Sequence, residues 1–275
     1  MGYCAIRARS QVHRVEMIKG KLMNLGKGAN ETRDFVQPLL STSMIRSHAG
    51  SGPALHLFET ACVLTAFVLV TVHLGRLIQS ETFFQWTVIL AVFLAWPCAD
   101  FMSGLVHWLA DTWGSEELPF VGPRFLRPFR VHHVTPTSFV ECGFMDTNGD
   151  TALIGIPFLL SIYLCPLDVM WGYWSASFML AFCVFALPTN QIHQWAHMPN
   201  PPILVRFFQR MGLILSASNH QHHHSGAHTG NYCITSGCCN PLLERISFFR
   251  KLEQIIVRVT GCKPRADVRA THESE

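Results

Sequence analysis

Apolar positions in this chain come in long blocks, with little alternation between apolar and polar residues. Four blocks, 59–78, 83–109, 153–171 and 175–195, are almost free of charge. About 20 consecutive apolar residues are what an α-helix needs to cross the hydrocarbon of a bilayer. The first block meets that length without interruption. Pro97 predicts a kink or break in the second, Pro157 and Pro166 a bent or re-entrant third, and Pro188 an end to the fourth. A polar segment, 111–150, and a histidine-rich segment after residue 196 separate or follow the blocks. The expected fold class is an all-α integral membrane protein with about four transmembrane helices and a histidine-rich cap.

Composition agrees with a bilayer. Charged residues make up 14% of the chain, against about 25% in ordinary soluble domains, and charge is what a lipid-facing surface excludes. The ten cysteines do not form a disulfide framework. Several lie inside apolar blocks, where a thiol behaves as a small hydrophobe, and no Cys-x-x-Cys occurs to build a thiolate zinc site. All are read as reduced. Residues 1–54 form a basic segment that lacks the apolar core of a signal peptide. They read as a cytosolic tail beside anionic lipid rather than a cleaved presequence. Residues 55–268 are expected to form the working domain, with a polar tail at 269–275. No nucleic-acid partner is expected.

With the basic N-terminus inside, four crossings bring the ends of the second and fourth helices to the cytosolic face. Every histidine cluster then falls on that face: His107 with Asp111, His132-His133, His193 with His197, and the group His220, His223 and His224. An odd number of crossings would scatter them. The i,i+4 pairs place two side chains on one helix face. His220-x-x-His223-His224 does the same while turning Gln221 and His222 away. Eight imidazoles with a carboxylate nearby exceed what one tetrahedral zinc takes and suit two metals with open positions. Imidazole accepts iron, zinc, copper or nickel, so the ligand type leaves the metal open. A metalloprotease would need Glu after its first histidine, and Gln194 stands there. The scattered His13, His48, His56, His73 and His272 are read as caps or core residues.

The strings GLVHWLADTWG (104–114), FLRPFRVHHVTPT (125–137), DTNGD (146–150), NQIHQWAHM (190–198), NYCITSGCCNPLLER (231–245) and GCKPRAD (261–267) resemble the lipid desaturase family. That family holds an ether-lipid branch, which acts on plasmanyl ethanolamine phospholipids, and more distant plant plastid palmitate desaturases. The resemblance covers about residues 55–268, with the motifs in the same order. Its wording is mostly that of the ether-lipid branch, NYCI being closer to the plastid one. The chain departs from its close relatives at Asn219, Cys142 and Gly143.

The resemblance implies two iron ions held by His107, His132, His133, His193, His197, His220, His223 and His224. It places the family's aspartate on Asp111, taken here as a catalytic residue, and a further histidine on His228. It also implies O2-dependent desaturation of the sn-1 alkyl ether chain to the vinyl ether of a plasmalogen. Electrons would come from NAD(P)H through cytochrome b5 and its reductase, at a cytosolic active site in the endoplasmic reticulum membrane. A fatty acyl lipid desaturase or hydroxylase of the same di-iron class is the alternative. Asp111, Asp146, Asn148, Asp150 and Asn190 are candidates to hold the outer nitrogens of the imidazoles. DTNGD reads equally well as a turn, and Arg127 and Arg130 could meet a lipid phosphate.

Overall fold

The computed structural model describes residues 52–80, 86–134, 136–225 and 228–265. The basic N-terminal segment, His13, His48, His272 and the polar tail lie outside the described residues. The described residues are helical, with no strand among them. Their order is α1 (Pro53–Gln79), α2 (Trp86–Thr112), α3 (Arg127–Val134), α4 (Phe144–Ser161), α5 (Met170–Ala186), α6 (Thr189–His197), α7 (Ile203–Arg210), α8 (Ala217–His223), α9 (Asn240–Arg245) and α10 (Phe248–Thr260).

Three helices are long and apolar enough to cross a membrane: Pro53–Gln79, Val88–Thr112 and Met170–His197, the last joining α5 to α6. They leave Leu64, Phe67, Val68, Ile89, Phe93 and Val184 exposed, as lipid-facing surfaces require. Pro97 sits inside α2, which runs on through it. The third apolar block begins earlier than its hydropathy predicts. Its helix, α4, starts at Phe144, so DTNGD lies in its first turns and is not a turn between elements. Pro157 is carried inside α4, while a tight helical turn, Ile162–Leu164, ends before Pro166. Pro188 divides α5 from α6, as its missing N–H dictates.

The four long elements form a bundle with one polar end. Gly149 of α4 meets Glu59 of α1, and Tyr163 meets His73 further along, so α1 and α4 run parallel. Tyr173 at the start of α5 donates to the Leu77 carbonyl at the end of α1, at 3.1 Å, so α5 runs the other way. His107 near the end of α2 approaches His193, beyond the end of α5, at 5.9 Å between rings. The starts of α1 and α4 and the ends of α2 and α5 therefore share one end. Small residues permit the close approach: Ala91, Ala95 and Ala99 form a buried i,i+4,i+8 stripe on α2, and Ala66, Ala152 and Ala176 line the core between α1, α4 and α5.

Over that polar end lies a cap made of α3 and residues 198–265. Its segment Tyr232–Gly237 is irregular yet buried, so each backbone group needs a partner. One face of α2 supplies many of them. Asp100 accepts from the N–H groups of Ser236, Gly237 and Cys239 at 2.7, 2.8 and 2.9 Å. Ser103 Oγ accepts from Ile234 and Thr235, and Asn240 closes the segment by bonding both backbone groups of Cys233. Gly104 completes this stripe, because a Cβ there would stand 2.5 Å from the Cys233 sulfur. The cysteines among the described residues are free.

Candidate metal centre

The eight histidines expected as ligands come together at the polar end, and they form two adjoining groups. His132, His193, His197, His220 and His224 make one group; His107, Asp111, His133 and His223 make the other. Within each group one ligand atom per residue lies within 4.8 Å of all the rest. The neighbours His132 and His133 on α3 part between the groups, and so do His223 and His224. His193 and His197 stay together on α6, as i,i+4 spacing requires. Gln221 and His222 face outward, as expected.

In the five-imidazole group, Nε2 of His193 and His220 approach to 2.8 Å, and Nε2 of His224 lies 3.0 Å from those of both His132 and His220. The outward Nδ1 atoms of His132, His220 and His224 are buried and find no hydrogen-bond partner. In the other group two of the three outer nitrogens are fixed. His107 Nδ1 donates to the Tyr232 carbonyl at 3.1 Å, and His223 Nδ1 to the Gly230 carbonyl at 2.7 Å. Their Nε2 lone pairs are thereby turned inward onto Asp111 Oδ2, at 3.2 and 3.7 Å, with His133 Nε2 at 3.5 Å. Both Asp111 oxygens are buried and unpartnered.

Burial holds the cap imidazoles below their ordinary range, and their neighbouring rings add to it. His133 falls to about 2 and His224 to about 3, and His132, His220 and His223 are also lowered. These rings are therefore neutral at physiological pH, the form that ligates a metal. Inward lone pairs facing one another and a bare buried carboxylate are costly without a cation between them. The donor set thus fits two metal ions side by side, one among five imidazoles and one among three imidazoles and a carboxylate.

The expected histidines converge as their spacing predicts, but their surroundings differ from expectation. Asp146, Asn148, Asp150 and Asn190, expected to hold the imidazoles' outer nitrogens, bond elsewhere: Asp146 to His56, Asp150 to Arg124, Asn148 to Gln191 and Asn190 to the Thr147 carbonyl. Backbone carbonyls of the irregular segment do that work, and no side-chain pattern announces a carbonyl. Arg130 is no lipid anchor. Its guanidinium donates to the carbonyls of Ala110, Trp113 and Gly114, while Arg265 donates to those of Asp111 and Thr112. Together they cap the end of α2 that carries Asp111. His228, with a positive φ, stacks on His133 at 4.6 Å and donates from Nδ1 to the His223 carbonyl. His56 and His73 stay outside both groups. Cys142 is held by burial up to about 11, so it remains a thiol, and its carbonyl accepts from Gln194.

The model of the lipid desaturase domain matches residues 96–267. Plasmanylethanolamine desaturase of Myxococcus xanthus is 38% identical over 79% of this chain and 78% of its own, and plasmanylethanolamine desaturase 1 of Mus musculus is 39% identical over 80% and 86%. Chloroplastic fatty acid desaturase 4 of Arabidopsis thaliana is 31% identical over 64% of this chain and 54% of its own. No solved structure matches. A helical bundle with three membrane-spanning helices, two imidazole groups at one end and a domain match spanning all four histidine clusters lead to one statement: this chain belongs to the lipid desaturase family and is an oxidoreductase of that kind.

Proposed function

We propose that this chain is a plasmanylethanolamine desaturase, converting the sn-1 alkyl ether of plasmanyl ethanolamine lipids to the vinyl ether of plasmalogens. The observation that carries the reading is the pair of adjoining ligand groups, five imidazoles beside three imidazoles and Asp111, in a chain so similar to two proteins of that name. His107, His132, His133, His193, His197, His220, His223 and His224 would hold two iron ions, with Asp111 as a further ligand or as a catalytic carboxylate. Bound iron supplies the activation of dioxygen that breaking unactivated C–H bonds demands, which general acid–base groups cannot provide. The reaction balances when O2 takes two electrons from the lipid and two from a reductant, and leaves as two waters. In our reading NAD(P)H provides the latter pair through cytochrome b5 and its reductase.

The protein's own contribution is placement. His107 and His223, locked by the Tyr232 and Gly230 carbonyls, hold their tautomers through the cycle. The apolar bundle keeps water from the reacting carbons. We read residues 55–268 as one desaturase domain whose α4 makes a fourth crossing. The active end would face the cytosol from the endoplasmic reticulum membrane, with the basic N-terminal segment on the same side.

Lipid mass spectrometry of plasmalogen-deficient cells tests this. Expression of the chain should restore vinyl-ether ethanolamine lipids, and His223→Ala should not. An iron-loaded protein that restores none, but desaturates acyl lipids, would replace the substrate while keeping the reaction class.

A further inference from the structure

A second polar cluster stands beside the metal centre, at the start of α1 and α4. Glu59, His56 and Asp146 bring ligand atoms within 4.8 Å of one another. Arg124, from the helical turn before α3, donates to Glu59 Oε1 at 3.1 Å and from Nε to Asp150 at 2.7 Å. Two carboxylates, Glu59 and Asp150, therefore share one guanidinium, and the third, Asp146, has one oxygen on His56 Nδ1 at 2.7 Å. Glu59 forms the floor, its side chain 8% exposed, and its second oxygen, Oε2, is buried with no hydrogen-bond partner. His56 and Asp146 form an open rim, with side chains 56% and 36% exposed.

The fold goes out of its way to hold Glu59 there. Gly149 packs against it so closely that a Cβ would lie 2.5 Å from Glu59 Cγ and 3.2 Å from its Cα. A buried carboxylate oxygen without a partner is costly, and the cluster's excess of negative charge invites a cation. Arg124 in contact with the same carboxylate disfavours a divalent ion. A primary ammonium, with three N–H donors, matches the spare acceptors of Glu59 and Asp146.

Position supplies the rest. Thr147, next to Asp146, accepts from Gln194 at its hydroxyl and from Asn190 at its carbonyl, each at 3.2 Å, and Gln194 follows the metal-group residue His193. The cluster and the metal centre thus share the wall between α4 and α6. In an ether phospholipid the headgroup amine lies beyond the glycerol from the first carbons of the sn-1 chain. We infer that Glu59 and Asp146, backed by Arg124, bind the primary ammonium of the lipid headgroup and set headgroup preference. The inference rests on the ether-lipid reading above.

The test supplies iron-loaded full-length protein with plasmanyl lipids in vesicles bearing ethanolamine, choline or glycerol headgroups. Choline carries charge but no N–H, and glycerol neither. Wild type should favour ethanolamine, and Glu59→Gln should lower the ethanolamine-to-choline ratio of turnover about tenfold, the scale of one charge-assisted hydrogen bond. Iron content should stay at the wild-type level. Asp146→Asn, on the open rim, carries the same test with a smaller drop if Glu59→Gln fails to fold. A ratio unmoved in the folded variants overturns the inference and leaves the ether-lipid reading intact. A preference that appears only when calcium is added assigns the acids to a bridging metal ion and overturns it too. Wild type that makes no vinyl ether from any headgroup sinks the ether-lipid reading, and this inference with it.

Discussion

The two ligand groups adjoin at the polar end of the bundle, yet they are built on different principles. The group with Asp111 is fixed from behind: His107 and His223 each spend a hydrogen bond on a carbonyl of the segment 230–232. Arg130 and Arg265 tie down the helix end that carries Asp111. The five-imidazole group has outer nitrogens on His132, His220 and His224 with no such partner. Its rings are kept in place by one another and by packing. One set of donors is therefore fixed by the fold, whereas the other would rely on a bound ion to order it. The difference teaches that two adjoining donor groups need not be equally fixed by the chain around them.

The largest effect should come from removing a ligand. His132→Ala, in the five-imidazole group, should abolish turnover by at least a hundredfold and lower bound iron from two per chain to about one, read by elemental analysis. A variant that keeps both irons would break the comparison. Asp111→Asn keeps the shape and removes the charge, so it should cost 10- to 100-fold in metal affinity or activity. The loss should fall on one iron, with the five-imidazole site retained.

A smaller effect is expected behind the fixed site. Asp100→Asn leaves one of the three N–H donors from Ser236, Gly237 and Cys239 facing an amide. It should destabilise the protein by about 2 kcal/mol, seen as a lower Tm in detergent. His107, held through the same segment, should then bind its metal more weakly.

The smallest and broadest effect is that of pH. His133 at about 2 and His224 at about 3 lie below an unfolded imidazole near 6.5, so the unfolded chain takes up protons first. Stability of the metal-free protein is unaffected above about 6.5 and falls as pH drops below it. Bound metal, by favouring the neutral rings, should push that loss to lower pH. Thermal melts from pH 8 to 5, with and without metal, check the direction.

Much of this was legible in the chain. Length and hydropathy predict the helices, because crossing a bilayer leaves little choice of backbone. The i,i+4 spacings of His107 with Asp111 and of His193 with His197 predict shared faces, and the structure keeps both pairs together. The division of His132 from His133 was not legible, since adjacent residues on a short helix diverge by an angle that only the surrounding cap converts into two sites. Nor was the role of Asp100. It looks like an isolated acid inside an apolar helix, and its three partners are backbone N–H groups more than a hundred residues away. DTNGD, rich in turn formers, became the first turns of α4 because Asn148 and Thr147 find partners on α6, which repays their weak helix propensity. Arg130 looked like a phosphate anchor because charge in a sequence carries no direction.

The measurement that bears most directly on these claims is Mössbauer spectroscopy of the purified, 57Fe-loaded protein, paired with its metal content. Two irons per chain, giving two distinct signals of equal area, are the predicted result for five imidazoles on one side and three with a carboxylate on the other. A single iron, a zinc-filled centre, or two irons with identical signals would contradict it.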